Sequence, residues 1–99
     1  MIIVTGTLHA RPDSLAEVLR LSREHVARSR TEPGCIEHGV AIDVDDPHRL
    51  VFFERWADRE AIGAHLTLPA SRGFGKAVAA LVDQAPTLAM FDATDVPMR

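Results

Sequence analysis

The sequence predicts an α+β domain in the order β-α-β-β-α-β, and three observations carry that reading. Short runs rich in β-branched and aromatic residues alternate with longer runs whose apolar residues recur at helical spacing. Breaks at Arg11-Pro12, Pro33-Gly34, Asp46-Pro47 and Ala85-Pro86 separate these runs. The stretch Leu50-Val51-Phe52-Phe53-Glu54-Arg55-Trp56 is largely apolar on both faces, so as a strand it needs cover on both sides.

Ile2 to Ala10 reads as the first strand, with Ile2, Val4, Gly6 and Leu8 on one face and Ile3, Thr5, Thr7 and His9 on the other. Gly6, in mid-strand, leaves room for something to approach the backbone. Ser14-Leu15-Ala16-Glu17 has the form of a capping box, and Leu15, Val18, Leu19, Ser22 and Val26 then repeat as the apolar stripe of a helix. Arg20, Arg23, Glu24 and Arg30 lie outside that stripe. Pro33 disfavours helix before it and Gly34 tolerates a left-handed turn, so Thr31-Glu32-Pro33-Gly34 ends the helix.

Cys35 to Val44 is the second strand, with Ile36, His38, Val40, Ile42 and Val44 opposite Cys35, Glu37, Gly39, Ala41 and Asp43. Asp45-Asp46-Pro47-His48 reads as a turn short enough to return the strand from Arg49 to Trp56 antiparallel beside it. On that strand Leu50, Phe52, Glu54 and Trp56 share one face, and Val51, Phe53 and Arg55 the other. Asp58 can cap the next helix, with Glu60 in its first turn. This helix is interrupted near Thr67-Leu68-Pro69, resumes with Phe74, Ala77, Val78, Leu81 and Val82, and ends at Gln84-Ala85-Pro86. Thr87 to Ala93 is the last strand, and Asp95-Val96-Pro97-Met98-Arg99 a tail that is loose or laid over a neighbour.

This order is the split βαβ of ferredoxin-like domains, in which helices cover one face of a four-stranded antiparallel sheet. The other face would carry Val51, Phe53 and Ile36 or Val40, more apolar surface than a monomer usually exposes. A second copy of the chain is the expected cover.

The 99 residues make one domain with a single modest core. The composition, 46% hydrophobic and 25% charged, is that of a globular protein. At a net charge of −3, with one Lys, Lys76, and Arg residues scattered singly, no basic block exists to neutralise phosphates. That excludes nucleic acid and anionic membrane as favoured partners. Cys35 is the only cysteine, so no intrachain disulfide forms and a reducing cytoplasm fits. The chain opens on strand-like Met1-Ile2-Ile3-Val4-Thr5 without a leader pattern, which reads as cytosolic and unprocessed.

Glu32-Pro-Gly-Cys35, the strand end Phe53-Glu-Arg-Trp56, Asp58-Arg-Glu-Ala61 and Ala64-His-Leu66 with Pro69 close behind resemble the antibiotic biosynthesis monooxygenase family. The resemblance runs over nearly the whole chain in element order. It implies a homodimeric α/β barrel and a pocket in each subunit between sheet and helices. For many members it also implies oxygenation of aromatic or quinol-like substrates without metal, flavin or haem. The haem-degrading relatives of this superfamily rely on an Asn in the first strand, a Trp at the third strand's end and a His on the second helix. This sequence contains no Asn, and Thr5-Gly6-Thr7 occupies that neighbourhood, so haem degradation of that type is not expected.

Oxygenation without a cofactor requires a base, a dry apolar cavity and donors that hold an anionic substrate. His65 is the expected base, because imidazole titrates near neutrality; it could equally sit against the free carbonyls of a helix end. Trp56 offers a flat wall and an N–H donor, or simply plugs the core. Glu54, among Leu50, Phe52 and Trp56, must be paired or have a raised pKa, and could orient a His, hold an Arg or form a sheet-end ion pair. Phe52, Leu66, Phe74 and His38 are the expected substrate contacts, although strand alternation leaves His38 free to face the dimer barrel instead. Gly73 and Gly75 would let the broken helix move as a lid. His9 sits near a strand end, and His25 and His48 read as surface residues. No H-x-x-x-H or H-E-x-x-H spacing signals a metal. The same scaffold is also compatible with a barrel that only binds a hydrophobic metabolite, in a stress response for instance, and with an isomerase or decarboxylase.

Overall fold

A computed structural model describes residues 1–98; Arg99, the last residue of the expected tail, lies outside the described residues. The elements are β1 (Ile2–His9), α1 (Leu15–Ser29), β2 (Cys35–Asp43), β3 (Asp46–Trp56), α2 (Arg59–Thr67), α3 (Pro69–Ala79) and β4 (Thr87–Asp92). The strands form one antiparallel sheet in the order β2-β3-β1-β4, the ferredoxin-like arrangement expected. No helix among the described residues is long and apolar enough to cross a membrane.

The helices cover one face of the sheet. Ile2, Val4 and Leu8 of β1 and Leu50, Phe52 and Trp56 of β3 are buried beneath them, with Val18 and Val26 of α1, Ile62 of α2 and Val78 of α3 above. Burying each such side chain is worth about 1.5–3 kcal/mol, so this layer supplies most of the driving force for folding. The other face carries Val51, Phe53 and Arg55 of β3 beside Ile3 and Thr5 of β1 and Phe91 of β4, where Phe53 and Phe91 are exposed.

The second strand corrects the sequence reading. A bulge lies between Cys35 and Glu37, so that Cys35 pairs with Trp56, Glu37 with Arg55 and His38 with Glu54. Val40 therefore pairs with Phe52 and belongs to the covered side, not to the bare face expected for it, while Ile36, the extra residue of the bulge, is half exposed. Arg30, just past α1, donates from Nε to the His38 carbonyl at 2.8 Å and pins this part of the strand to the helix end. The turn into β3 is Val44-Asp45, one step earlier than expected, and Asp46-Pro47-His48 belongs to β3.

The expected capping box does not form. Ser14 precedes α1, but its hydroxyl donates to the carbonyls of Leu81, at 2.6 Å, and Arg11, while Glu17 is drawn away to Arg20. Asp58 does cap α2, accepting from the Ala61 N–H at 2.8 Å. Thr67-Leu68-Pro69 breaks the helix as expected, and the resumed helix stops at Ala79, short of Gln84. Leu81 and Val82 are then pulled out of helix: Ala10 forms an antiparallel bridge with Val82, and the Arg11 N–H donates to the Leu81 carbonyl.

Candidate functional site

The sheet's covered face and helices α1 to α3 line a half-open cavity of about 250 Å³. Its apolar walls include Phe52, Phe74, Leu66, Val78 and Leu88, and its polar groups include His25, Glu54, His65 and Ser71. Of the residues expected from the sequence, Phe52, Glu54, His65, Leu66 and Phe74 line this cavity. Gly6 lines it too, and the group that approaches its backbone is the β4 main chain: a Cβ there would lie 2.9 Å from the Thr87 carbonyl oxygen. A second groove of about 360 Å³ lies between α2 and β4, lined by Ile2, Ile62, Met90 and Phe91, but its only charged groups, Arg59 and Asp92, pair with each other. It offers no base.

Trp56 and His38 stand just behind the cavity. The indole is fully buried and donates from Nε1 to Glu54 Oε1 at 2.8 Å, with its ring 4.7 Å from that of His65. The indole and the His65 imidazole thus lie on the same side of the sheet. His38 is also buried on the covered side, next to Trp56 and Glu54, and so does not face the bare side of the sheet, but it does not line the cavity. Its Nε2 is 3.3 Å from Glu54 Oε1 but outside hydrogen-bonding geometry, and neither of its ring nitrogens has a hydrogen-bond partner. Glu54 is therefore a paired carboxylate. Burial by itself raises its pKa, but the His38 ring and the Trp56 N–H outweigh burial and the net direction is downward.

Two functional residues escape the sequence reading. Glu32, in the turn after α1, brings Oε1 to 2.7 Å from His65 Nδ1. It, not Glu54, is the carboxylate that orients this imidazole. The turn makes this possible because Gly34 adopts a φ of +82° and packs against Ala61 of α2, four positions before His65. His25, expected at the surface, is buried and stacks on Phe74, with ring centroids 4.1 Å apart and planes 6° from parallel. Burial lowers the His25 pKa to about 3, and the neighbouring His38, His65 and Arg28 reinforce that shift against Glu54. It is a neutral ring whose Nδ1 accepts from Arg28 at 2.7 Å. A signal for it did exist: His25 falls at helical spacing between the buried Ser22 and Ser29.

With Nδ1–H donated to Glu32, His65 keeps the lone pair of Nε2 as its basic site, and the carboxylate can stabilise the imidazolium formed when that nitrogen takes a proton. The arrangement is one base held by one carboxylate at the wall of a small apolar cavity. It suits proton removal from a bound hydroxyl or an activated carbon.

Comparison with known proteins agrees with the fold. An uncharacterized protein of Synechocystis sp. is 35% identical over 68 residues, which cover 69% of this chain and 46% of that protein, so the alignment spans about half of the relative's length. A crystal structure of an antibiotic biosynthesis monooxygenase superposes with a TM-score of 0.88 at 30% identity, covering 96% of this chain and 100% of the other. A Deinococcus radiodurans protein named as a candidate antibiotic biosynthesis monooxygenase superposes with a TM-score of 0.93 at 26% identity, covering 98% and 96%. The family model for antibiotic biosynthesis monooxygenases matches residues 1–77, from the first strand through most of α3, and the chain belongs to that family.

Proposed function

We propose that this chain is a cofactor-independent monooxygenase that oxidises a small phenolic, quinol or polyketide-like aromatic with O2. The observation that carries the reading is the Glu32–His65 pair, 2.7 Å apart, at the wall of a cavity lined by Phe52, Phe74 and Leu66. Family membership and the names of the similar structures support it.

Triplet O2 reacts slowly with closed-shell molecules, so the substrate must first be made electron-rich. His65 Nε2 removes the hydroxyl proton and Glu32 steadies the imidazolium. The resulting phenolate passes one electron to O2, and the radical pair combines to a peroxide on the ring carbon. The imidazolium returns its proton to that peroxide, which then loses water to leave the quinone: one O–H and one C–H bond are broken, the substrate oxygen becomes one carbonyl, and O2 is consumed as the other carbonyl oxygen and one water. Phe52, Leu66 and Phe74 pack the ring and keep water away from the anion. Glu54 on the cavity wall and Trp56 behind it fix each other and the His65 face, and His38 stands behind them.

The working unit in this reading is a homodimer, with the bare sheet faces of two copies packed together through Val51, Phe53 and Phe91 and a barrel formed between them. A reducing cytoplasm suits the single free cysteine.

The test is O2 uptake by the purified protein with a panel of hydroquinones and anthrones. The expected outcome is turnover above the solution rate that falls about 10²- to 10⁴-fold in His65→Ala, the usual effect of losing a positioned base. Turnover that His65→Ala leaves unchanged overturns the mechanism. Product formed without oxygen would instead identify an isomerase or decarboxylase, and tight ligand retention without turnover a binding barrel.

A further inference from the structure

The fold gathers three histidines that sequence spacing keeps apart: His25 of α1, His38 of β2 and His65 of α2, all buried. One ring nitrogen from each lies within 4.8 Å of the other two. We propose that these three imidazoles form a binding site for a divalent first-row transition ion of the zinc class, a site that shares His65 with the base chemistry above.

Three observations support a ligand here. His38 is wholly buried, yet both ring nitrogens lack a hydrogen-bond partner, and an ion would give one of them a partner. Buried polar groups left without a partner are rare. The second observation is the fixed orientation of His65. A carboxylate on one imidazole nitrogen is the usual support of a ligating histidine, because it sets the tautomer and leaves the other nitrogen's lone pair for the metal. The third is the fourth position. Glu54 Oε1 lies 3.3 Å from His38 Nε2, on the cavity wall, so a carboxylate or a cavity water can complete a tetrahedron.

The geometry needs only small adjustments. Metal–nitrogen bonds of about 2.0–2.1 Å place tetrahedral ligands about 3.3 Å apart, so closing the triangle requires each ring to move by less than about 1 Å. His25 must also change tautomer, because its Nδ1 now accepts from Arg28, and Arg28 must release it. The positive charge of Arg28 opposes the ion, and the carboxylates of Glu32 and Glu54 offset it. Imidazole donors select zinc, copper, nickel or iron over magnesium or calcium. Bound there, the ion would occupy the His65 lone pair that the base needs, so metal loading and proton abstraction exclude each other.

The experiment uses the full, untagged chain and Co2+ as a spectroscopic probe in place of Zn2+, with no substrate present. One Co2+ per chain is expected to bind with the intense visible absorption of a four-coordinate site and no thiolate charge-transfer band, and excess Zn2+ should bleach it. Binding should be lost in His38→Ala and retained in His9→Ala and His48→Ala, which remove the surface histidines. Weak, six-coordinate spectra, a thiolate band from Cys35, or retention in His38→Ala overturns the site. Should His38→Ala fail to fold, the spectrum of the unaltered chain and the two surface variants decide the matter. None of these readouts depends on turnover, so failure of the oxygenase reading leaves them intact. Should turnover exist, Zn2+ is expected to suppress it and a chelator to restore it.

Discussion

Glu32 shows how much depends on one carboxylate. It sits in a turn, far in sequence from the imidazole it holds, and its second oxygen, Oε2, is buried without a partner. A carboxylate placed at that cost suits a group that must respond to charge on its neighbour. Glu32→Gln keeps the shape and a possible acceptor but removes the charge that stabilises an imidazolium. O2 uptake by Glu32→Gln is therefore expected to fall by about tenfold or more, toward the loss in His65→Ala, with the circular dichroism unchanged. Glu54→Gln should behave differently, because Glu54 touches His38 and Trp56 and not His65 Nδ1. The sequence made His65 and Glu54 visible because each interrupts or ends an apolar pattern. It hid the choice between Glu32 and Glu54 as the orienting group, since that depends on how a turn is folded over a helix.

At the scale of the element, that turn is held by a conformation most residues avoid. Gly34 has a φ of +82°, and a Cβ on it would lie 2.5 Å from Ala61 Cβ. Gly34→Ala is expected to cost about 1–3 kcal/mol through both effects, which thermal unfolding would register as a drop of about 4–8 °C per kcal/mol. The Pro-Gly pair made the turn legible, whereas its packing against α2 is tertiary and left no local sign. A second element-level device joins the ends of three segments. His9, at the end of β1, pairs through Nδ1 with Asp83 at 2.7 Å and through Nε2 with Asp46 at 2.8 Å. The hydrogen bond to Asp83, then that to Asp46, raises its pKa above 6.5. The folded state therefore binds this proton more tightly than the unfolded chain does. Its stabilising effect is complete below the unfolded value and fades as pH rises through the folded one. The difference in urea midpoint between the parent and His9→Gln is expected to be larger near about pH 6 than near about pH 8.5. The strand alternation that put His9 opposite Ile2 and Val4 was right, but the aspartates that meet it come from a turn boundary and from the segment after α3, both of which sequence periodicity misplaced.

For the whole molecule, the order of elements and the covered face of the sheet were readable because residues of period two and period 3.6 mark them directly. The fate of the other face is not written in periodicity at all. Phe53 and Phe91 stand on it exposed, beside Val51 and Ile3. In the homodimer proposed above, a single charge at its centre should separate the copies: Phe53→Glu is expected to sediment as one chain at concentrations where the parent sediments as two. The three-histidine cluster is likewise a property of the assembled fold, since its members come from α1, β2 and α2; the sequence pointed to His65 and His38 but put His25 at the surface.

The bulge between Cys35 and Glu37 has a consequence for how this protein can vary. One surplus residue lets Cys35 and His38, three apart, point the same way. Excising Ile36 would leave Cys35 and His38 two apart, the spacing at which a regular strand already turns both side chains to one face. A one-residue shortening at this point is thus absorbed: the thiol and the imidazole stay indoors, and the far end of the strand keeps its partners without being rebuilt.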